Sequence, residues 1–356
     1  MHICAPIAKA KSGDLNPKIS LFLNRMKVTN VILSGGVGSR LWPLSRKSKP
    51  KQYLELFDGQ SLFELTVERN RGVCDQVLVV GGKDNFQLSR DHLQKSGIEG
   101  YIEIVEACPR NTAAAIAFAA LSLNEEDIML VTPSDHLIEG QEIYEETLRR
   151  AVDLAVKDNL VTFGLVPSRP ETGFGYIEHE GNEVISFREK PSQDLAEEFI
   201  AKGNFLWNSG MFCFSAGTYL SELQKFEPEV FKKSKRAFDN AKDGFLIMED
   251  SMEIPSISID YAVMERSGKI KVVPASFDWS DMGSFEALYE YTIQKKGTNT
   301  NTNLALGSNK HVEFIGVEEL ILVETADAIL VLNKNNAQDV KQVYERLEKE
   351  NPDLLK

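Results

Sequence analysis

A glycine-rich segment that also carries a guanidinium group gives the clearest chemical signal in the sequence. Residues 34–40 read S-G-G-V-G-S-R, and Lys51 follows within P-K-Q. Backbone N–H groups of glycine can approach phosphate oxygens closely because no Cβ stands in the way. Arg40 can donate to two oxygens at once, and Lys51 can add a compact positive charge. The predicted phosphate-binding residues are Ser34, Gly35, Gly36, Gly38, Ser39, Arg40 and Lys51.

This loop differs from two familiar phosphate-binding loops. Leu41 stands where a dinucleotide-binding fingerprint would have its third glycine, and no G-K-[ST] follows as it would in a P-loop. A simple tight turn is the alternative interpretation of the three glycines. The adjoining segments L-W-P-L-S-R and P-K-Q favour a binding loop over that alternative.

Two aspartates that follow strand-like segments are candidate ligands for a divalent cation. Asp135 lies in P-S-D-H directly after the apolar run 128–132, and Asp281 lies in W-S-D-M-G-S after another strand region. Open parallel sheets bind ligands at the carboxyl ends of their strands, and Mg²⁺ often takes one or two carboxylates with phosphate oxygens and water. Alternatively, each aspartate only caps the segment after it. For His136 we expect a positioning role rather than a covalent one, because a phosphate nucleophile needs no relay.

Two other polar segments are candidate contacts for a bound molecule. Arg110, Asn111 and Thr112 open an alanine-rich helix, whose N-terminal N–H groups favour an anion or the polar edge of a base. The alternative is that Asn111 is simply an N-cap. Glu171 precedes a glycine-flanked aromatic segment, and a carboxylate in such a loop can accept hydrogen bonds from sugar hydroxyls.

These segments belong to an ordered series of motifs. After the glycine loop and P-K-Q, the series continues with R-N-T-A at 110–113, P-S-D-H at 133–136, R-P-E-T-G-F-G-Y at 169–176, E-K-P at 189–191, W-N-S-G-M-F at 207–212, S-I-D-Y-A-V at 258–263 and W-S-D-M-G-S at 279–284. In this order, over roughly residues 28 to 345, the sequence resembles the bacterial mannose-1-phosphate guanylyltransferases, which belong to the sugar-phosphate nucleotidyltransferases.

The resemblance implies an activity and a set of site residues. Members of this family transfer GMP from GTP to mannose-1-phosphate and release pyrophosphate, assisted by Mg²⁺ or another divalent cation. The implied catalytic residues are Arg40, Lys51, Asp135 and Asp281, of which the two aspartates bind the metal. The implied nucleotide-binding residues outside the glycine loop are Arg110, Asn111, Thr112 and Ser134. The implied sugar-phosphate-binding residues are Glu171, Gly175, Tyr176, Glu189, Lys190, Asn208 and Asp260.

Several alternatives to this interpretation stay open. Glu189 and Lys190 could form only a solvated ion pair, which contributes little, and Asp260 could instead cap a helix that starts at Tyr261. The same chemistry could act on another sugar phosphate or another nucleotide. A catalytically silent regulatory subunit could also share the fold, although the intact cationic and acidic residues argue against it.

The elements that must position these residues predict an α/β fold. Strand-like runs alternate with helix-like segments, which indicates a Rossmann-like nucleotidyltransferase domain with a mixed, mostly parallel sheet. We expect a hairpin around Gly181-Asn182. Residues 1–25 are predicted to be an extension outside the fold, with a short surface helix over 19–26 as the alternative. Residues 26–296 form the main domain, 297–303 a polar linker, and 304–356 a β-rich appendage similar to the family's left-handed β-helix, which could build a homodimer contact or cover the core.

Composition excludes several classes of function. The formal net charge of −13 disfavours nucleic acid and anionic membrane surfaces as partners. No apolar run reaches the roughly 18 residues that a membrane span needs. The four cysteines are scattered without a C-x-x-C pair, which argues against a zinc site and favours the cytoplasm. Many relatives carry a phosphomannose isomerase domain after this region, and we expect no isomerase activity here.

Overall fold

The computed structural model describes residues 26–296 and 302–356. The predicted extension, residues 1–25, and residues 297–301 of the predicted linker lie outside this description. No helix within the described ranges is long and apolar enough to cross a membrane.

Strands and helices alternate along the described chain, as expected for an α/β fold. The strands are β1 (Val28–Ser34), β2 (Gln76–Gly82), β3 (Ile102–Glu106), β4 (Ile128–Pro133), β5 (Leu137–Glu139), β6 (Leu160–Leu165), β7 (Tyr176–Glu180), β8 (Glu183–Arg188), β9 (Phe205–Ser215), β10 (Ile270–Ala275), β11 (Asp278–Ser280), β12 (Leu304–Leu306), β13 (Leu320–Glu324) and β14 (Ile329–Asn333). The α-helices are α1 (Leu62–Asn70), α2 (Phe86–Lys95), α3 (Asn111–Leu121), α4 (Gln141–Ala155), α5 (Gln193–Lys202), α6 (Ala216–Phe226), α7 (Pro228–Asp239), α8 (Met248–Glu253), α9 (Phe285–Lys296) and α10 (Val340–Glu350).

One large sheet forms the centre of the molecule. Its spatial order in the described chain is β3-β2-β1-β4-β9-β6-β10-β8-β7, and β7 also pairs with β9. Strands β3, β2, β1 and β4 run parallel, as do β6 and β10, whereas β9 is antiparallel to both β4 and β6. The predicted hairpin is formed by β7 and β8. The mixed, mostly parallel sheet is therefore confirmed: within the described chain, β8 and β9 run against the direction that its other strands share.

Helix α3 is rich in alanine and packs closely against two other helices. Its residues from Ala113 to Ala120 are all buried, since the small alanine side chains let α6 and α7 approach it. On the other side of the molecule, helix α1 begins with the predicted capping box. The Ser61 hydroxyl accepts from the Glu64 N–H, and the Glu64 carboxylate accepts from the Ser61 N–H.

A short two-stranded ribbon lies outside the large sheet. Strands β5 and β11 pair antiparallel, with Leu137 opposite Ser280 and Glu139 opposite Asp278. Strand β5 follows β4, and β11 follows β10. The ribbon therefore joins the segment that leaves β4 to the segment that leaves β10. It thereby fixes the positions of the residues just before β5 and just after β11.

The C-terminal region packs against the main domain through a shared hydrophobic cluster. Its three strands form a sheet in the order β12-β13-β14, and α10 follows. Ile321 and Val323 from this sheet and Tyr344 from α10 are buried in the same cluster as Trp42 and Phe285. The segment just after the glycine-rich loop is thus in direct contact with the C-terminal region.

Candidate active site

The phosphate-binding loop and Asp135 emerge side by side from the large sheet. Strands β1 and β4 are parallel neighbours, with Leu33 opposite Pro133, so the segments after both strands leave the same edge. Gly36 and Gly38 have φ angles of +82° and +73°, values that favour glycine. No heavy atom lies within 4 Å of where a Cβ would stand on Gly35 or Gly36. These two backbone positions therefore face open space that an anion can enter.

Lys51 contacts two of the other predicted catalytic residues. Its side chain is buried, and its Nζ lies 2.8 Å from Oδ2 of Asp135. The same Nζ donates to the backbone carbonyl of Asp281 at 2.6 Å. A buried ammonium needs such partners because it has lost its hydration. The structure thus brings Asp135 and Asp281, which are far apart in sequence, to one cation.

The neighbours of Asp135 keep its carboxylate ionised. Burial by itself would raise the pKa of Asp135, but the positive charge of Lys51 and the hydrogen bond that Lys51 donates outweigh burial, so the pKa lies below the ordinary value of an aspartate. Burial lowers the pKa of His136 to about 4, although Asp135 opposes the shift. Trp279 Nε1 donates to Nδ1 of His136 at 3.2 Å. The ring is therefore neutral, with its proton on Nε2, which lies 3.8 Å from Oδ1 of Asp135.

The side chains of Asp281 and Arg40 both lie close to Gly283. A Cβ on Gly283 would lie 2.5 Å from Oδ2 of Asp281 and 3.2 Å from Nη1 of Arg40. The N–H of Gly283 donates to the other Asp281 oxygen at 3.1 Å. Only a residue without a side chain leaves room for this approach. The guanidinium and the carboxylate consequently border the same cavity of about 630 Å³.

The residues present fit a divalent cation that is bound together with a substrate. In the described ranges, no group of three or more His, Cys, Asp or Glu side chains could hold a metal ion by itself. Lys51 contacts the carboxylate of Asp135 and the backbone carbonyl of Asp281, so both residues lie close to it, and Mg²⁺ characteristically takes one or two carboxylates and completes its octahedron with phosphate oxygens and water. Two carboxylates beside a phosphate-binding loop match that requirement.

A second cavity of about 370 Å³ lies beside the first, and Trp279 and Asp281 border both. The predicted sugar-phosphate residues that line it are Gly175, Glu189, Lys190, Asn208 and Asp260. Gly175 admits Glu189 to the cavity, since a Cβ on Gly175 would lie 2.5 Å from Oε2 of Glu189. Glu171 lines the larger cavity instead.

Asp260 is held by a chain of hydrogen bonds at the rim of this second cavity. Its Oδ1 accepts from Nδ2 of Asn208 at 3.1 Å, and Oδ1 of Asn208 accepts from the Thr162 hydroxyl at 2.9 Å. Burial and then the charge of Glu189 raise the pKa of Asp260 to about 6. Asp260 is itself the first residue of the helical turn Asp260–Met264, and Ile259 stands at the position before it, so the capping role of Asp260 stays an alternative.

Four predicted nucleotide-binding side chains have contacts within the protein. The Ser34 hydroxyl is 2.6 Å from that of Tyr53 and buried, and Nε of Arg110 donates to the carbonyl of Ile254 at 2.6 Å. Oδ1 of Asn111 accepts from the next N–H, at Thr112, and the structure shows no side-chain N-cap at α3. The Thr112 hydroxyl accepts from the N–H of Ile259 at 2.9 Å, and Thr112 also lines the smaller cavity.

Two more residues that are predicted to bind substrate are buried, and they differ in whether their hydroxyl group has a hydrogen-bond partner. Ser134 is buried, and its hydroxyl has no hydrogen-bond partner among the described residues. Tyr176 is fully buried, and its hydroxyl accepts from the N–H of Glu171 at 2.9 Å. Tyr176 therefore supports the loop that carries Glu171, and the structure does not place its side chain on either cavity wall.

Sequence reasoning missed Glu106, the last residue of β3. Its Oε1 is buried and makes no hydrogen bond within the described chain. Burial raises its pKa to about 7, although the backbone N–H of Arg110 opposes the shift. A buried polar atom without a partner calls for a ligand or water to satisfy it. The signal was available, because Glu106 follows an apolar strand just as Asp135 does.

Comparison with known proteins identifies the family to which the chain belongs. The model of the nucleotidyl transferase family matches residues 29–297, and the model of a MannoseP isomerase/GMP-like beta-helix domain matches residues 297–347. A mannose-1-phosphate guanylyltransferase from Klebsiella pneumoniae is 39% identical over 345 residues, which cover 89% of this chain and 73% of the relative.

Two solved structures extend the comparison to three dimensions. The crystal structure of a mannose-1-phosphate geranyltransferase from Thermus thermophilus is 32% identical with a TM-score of 0.79, and the match covers 91% of this chain and 100% of that one. The crystal structure of a mannose-6-phosphate isomerase from Helicobacter pylori is 39% identical with a TM-score of 0.65, covering 72% of this chain and 100% of that one. The chain therefore belongs to the nucleotidyl transferase family and, within it, to the mannose-1-phosphate guanylyltransferases that its motifs resemble.

Proposed function

We propose that the protein transfers GMP from GTP to mannose-1-phosphate, forming GDP-mannose and pyrophosphate. The observation that carries this proposal is the ammonium of Lys51 between the carboxylate of Asp135 and the carbonyl of Asp281, beside the phosphate-binding loop. The guanylyltransferase relative supports the choice of substrates. In the reaction, a phosphate oxygen of mannose-1-phosphate attacks the α-phosphorus of GTP in line, and the bond from this phosphorus to the oxygen of the leaving pyrophosphate breaks.

The chain's own residues bind and orient the reacting phosphates. Backbone N–H groups of Gly35 and Gly36 and the guanidinium of Arg40 bind the β- and γ-phosphates, which become the leaving group. Lys51 offsets the charge that develops during transfer. Such positioning and charge stabilisation supply most of the catalysis in phosphoryl-type transfer. Asp135 and Asp281 would hold Mg²⁺, which when bound would neutralise part of the charge of the phosphates.

The smaller cavity binds the sugar phosphate in this proposal. The carboxylates of Glu189 and Asp260 accept hydrogen bonds from mannose hydroxyls, and Asn208 orients Asp260. Lys190, whose Nζ lies 3.2 Å from Glu189, faces the phosphate. Arg110, Asn111, Thr112 and Ser134 contribute to the nucleoside side through backbone groups or after small side-chain movements.

The remaining parts of the proposal concern partners and organisation. Neither nucleic acid nor a membrane surface is proposed as a partner, since the net charge is −13. We assign the protein to the cytoplasm, because the cysteines of the described chain are free thiols. Residues 26–296, 297–303 and 304–356 are the proposed main domain, linker and appendage, and a homodimer is the proposed assembly.

A substrate panel tests the proposed function. GTP, ATP, UTP, CTP and dTTP are each combined with mannose-1-phosphate and with glucose-1-phosphate, and pyrophosphate release is measured with and without Mg²⁺. We expect the fastest release with GTP, mannose-1-phosphate and Mg²⁺, and loss of release in Lys51→Ala. Absence of release from every pair would contradict the proposal. A separate arm with mannose-6-phosphate tests the activity named for the Helicobacter pylori relative, and turnover in that arm alone would favour it instead.

A further inference from the structure

Arg46, the last residue of L-W-P-L-S-R, connects the phosphate-binding loop with the C-terminal region. Its guanidinium donates to Oδ1 of Asp327 at 2.6 Å, to the hydroxyl of Thr325 at 3.3 Å and to the carbonyl of Leu354. Its Nε donates to the carbonyl of Pro43 at 2.9 Å, within its own segment. Only 10% of the Arg46 side chain is exposed, compared with 49% for Asp327. Arg46 is therefore an almost buried cation whose charge partner lies on the appendage.

Neighbours of Arg46 make parallel contacts with the end of the chain. Nε1 of Trp42 donates to the carbonyl of Leu354 at 2.9 Å, so Trp42 and Arg46 share one acceptor. The backbone N–H of Lys47 donates to the carbonyl of Leu355 at 2.9 Å. Leu355 itself is fully buried in the cluster shared by both parts of the molecule. Residues 42–47 are thus attached to residues 354–355 at three points.

The same segment is tied to the catalytic residues from its other end. The Ser45 hydroxyl donates to the carbonyl of Gly38 at 2.6 Å, and the N–H of Leu41 donates to that carbonyl at 2.9 Å. A Cβ on Gly38 would lie 2.5 Å from the Cβ of Lys51, whose Nζ reaches Asp135 and Asp281. A continuous series of contacts therefore runs from Asp327 through Arg46 and Gly38 to Lys51.

We propose that Arg46 is a positioning residue for the transfer reaction, and that Asp327 and the carbonyl of Leu354 hold it there. In this arrangement the appendage keeps residues 38–46 in the conformation that presents their N–H groups and Arg40 to the phosphates. This inference rests on the proposed function, because the loop's ligand is taken to be a nucleoside triphosphate. A displacement of about 1 Å in such groups can lower a rate about 100-fold, so a contact remote from the substrates can control turnover.

The test removes the carboxylate of Asp327 on the appendage and leaves the sequence of residues 38–46 intact. In the full chain, we expect Asp327→Ala to lower kcat by about 10- to 100-fold, with little change in the KM for mannose-1-phosphate. Asp327→Asn retains the Oδ1 acceptor and should restore most of the rate. Lys310→Ala is the matched control, because Lys310 also belongs to the appendage, pairs with Glu324 rather than Asp327, and has 74% of its side chain exposed.

Hydrogen–deuterium exchange of the substrate-free protein gives a readout that does not depend on activity. Amides of residues 38–46 should exchange faster in Asp327→Ala than in the native chain, and should be unchanged in Lys310→Ala. Native kcat, or native exchange over 38–46, in a folded Asp327→Ala protein would overturn the proposal. If the native chain itself released no pyrophosphate from GTP, the proposed function would fail. The exchange measurement would still test whether the contact of Asp327 with Arg46 holds residues 38–46 in place.

Discussion

A Cβ placed on Gly38 would lie 2.5 Å from the Cβ of Lys51, closer than two carbon atoms can pack. Gly38 also has a φ of +73°, which is strained for any residue with a side chain. We expect Gly38→Ala to destabilise the fold by about 1 to 3 kcal/mol and to lower kcat by displacing Lys51 from Asp135. Thermal unfolding and steady-state kinetics measure the two effects.

A glycine in open space provides the control for this substitution. No atom lies within 4 Å of a Cβ built on Gly268, and its φ is not in the left-handed region. Gly268→Ala should therefore leave Tm and kcat unchanged. A Gly38→Ala protein that behaved in the same way would show that the close approach to Lys51 has no bearing on stability or catalysis.

Lys51 and Asp281 can be tested separately because their contact uses a backbone carbonyl. Asp281→Asn keeps the carbonyl that accepts from Lys51 and removes only the negative charge, whereas Lys51→Ala leaves Asp135 without its cation. Each change should lower kcat by about 100- to 1000-fold, the cost of losing one preorganised electrostatic contact. For Asp281→Asn, the Mg²⁺ concentration that gives half-maximal rate should also rise.

A surface lysine close by in sequence serves as the comparison. Lys47 pairs with Glu348 at 3.4 Å, and 53% of its side chain is exposed. Lys47→Ala retains the backbone N–H that donates to Leu355, so pyrophosphate release should continue at the native rate. Near-native rates in both Lys51→Ala and Asp281→Asn would remove these residues from the mechanism.

Glu106 is expected to contact the nucleotide, since its Oε1 lacks a partner within the described chain and it lies four residues before Arg110, at the start of the 110–112 loop. Hydrogen bonds to charged groups contribute about 1.5 to 3 kcal/mol, so Glu106→Gln should raise the KM for GTP by about 10- to 100-fold. The KM for mannose-1-phosphate should change little. Initial-rate measurements with each substrate varied in turn separate the two constants.

The matched control for Glu106 lies on the same strand. The carboxylate of Glu103 pairs with Arg90 at 2.6 Å, so it already has a partner within the protein, unlike Oε1 of Glu106 in the described chain. Glu103→Gln should leave both KM values at their native levels. Equal KM values for GTP in the native protein and in Glu106→Gln would assign the buried carboxyl to structure rather than to nucleotide binding.

The raised pKa of Asp260 predicts a pH-dependent contribution to stability. Burial and then Glu189 raise this pKa from 3.8 to about 6, so the folded chain holds the proton more tightly than the unfolded chain. Stability gained from this proton is complete below pH 3.8 and is lost as the pH rises through about 6. Asp260→Asn cannot titrate, so its Tm relative to the native protein should increase from about pH 4 to about pH 7.

Thermal unfolding across this pH range provides the measurement. Asp84→Asn, a change at an exposed carboxylate, should show a Tm difference that does not vary in the same window. A Tm difference for Asp260→Asn that is constant with pH would contradict the prediction, as would one that shrinks as the pH rises.

Strand order explains which parts of the site could be predicted. The glycine loop and Asp135 each follow an apolar run, and the carboxyl ends of neighbouring parallel strands meet at one edge of the sheet. The direction of β9 could not be predicted, because its side chains are buried on both faces and its burial pattern looks the same for a strand in either direction. The contact of Lys51 with the Asp281 carbonyl also depends on the fold, since it exists only after β11 has paired with β5.

The directions in which individual hydroxyl groups point could not be predicted from the sequence either. Ser34 and Ser134 stand at corresponding places at the ends of neighbouring parallel strands, and both are predicted to bind nucleotide. In the structure the Ser34 hydroxyl turns toward Tyr53, and the Ser134 hydroxyl is buried without a partner in the described chain. At the end of a strand the alternation of faces no longer dictates where a side chain points. Their roles in binding stay predictions.

The pairing of β5 with β11 has a mechanical consequence for the two acidic residues. Asp135 lies just before one strand of this ribbon and Asp281 just after the other, and the ribbon pairs Leu137 with Ser280 between them. Backbone hydrogen bonds hold the two strands of the ribbon at a fixed spacing. We therefore expect the distance between Asp135 and Asp281 to be set by this local pairing, and to be the same whether or not a substrate is bound.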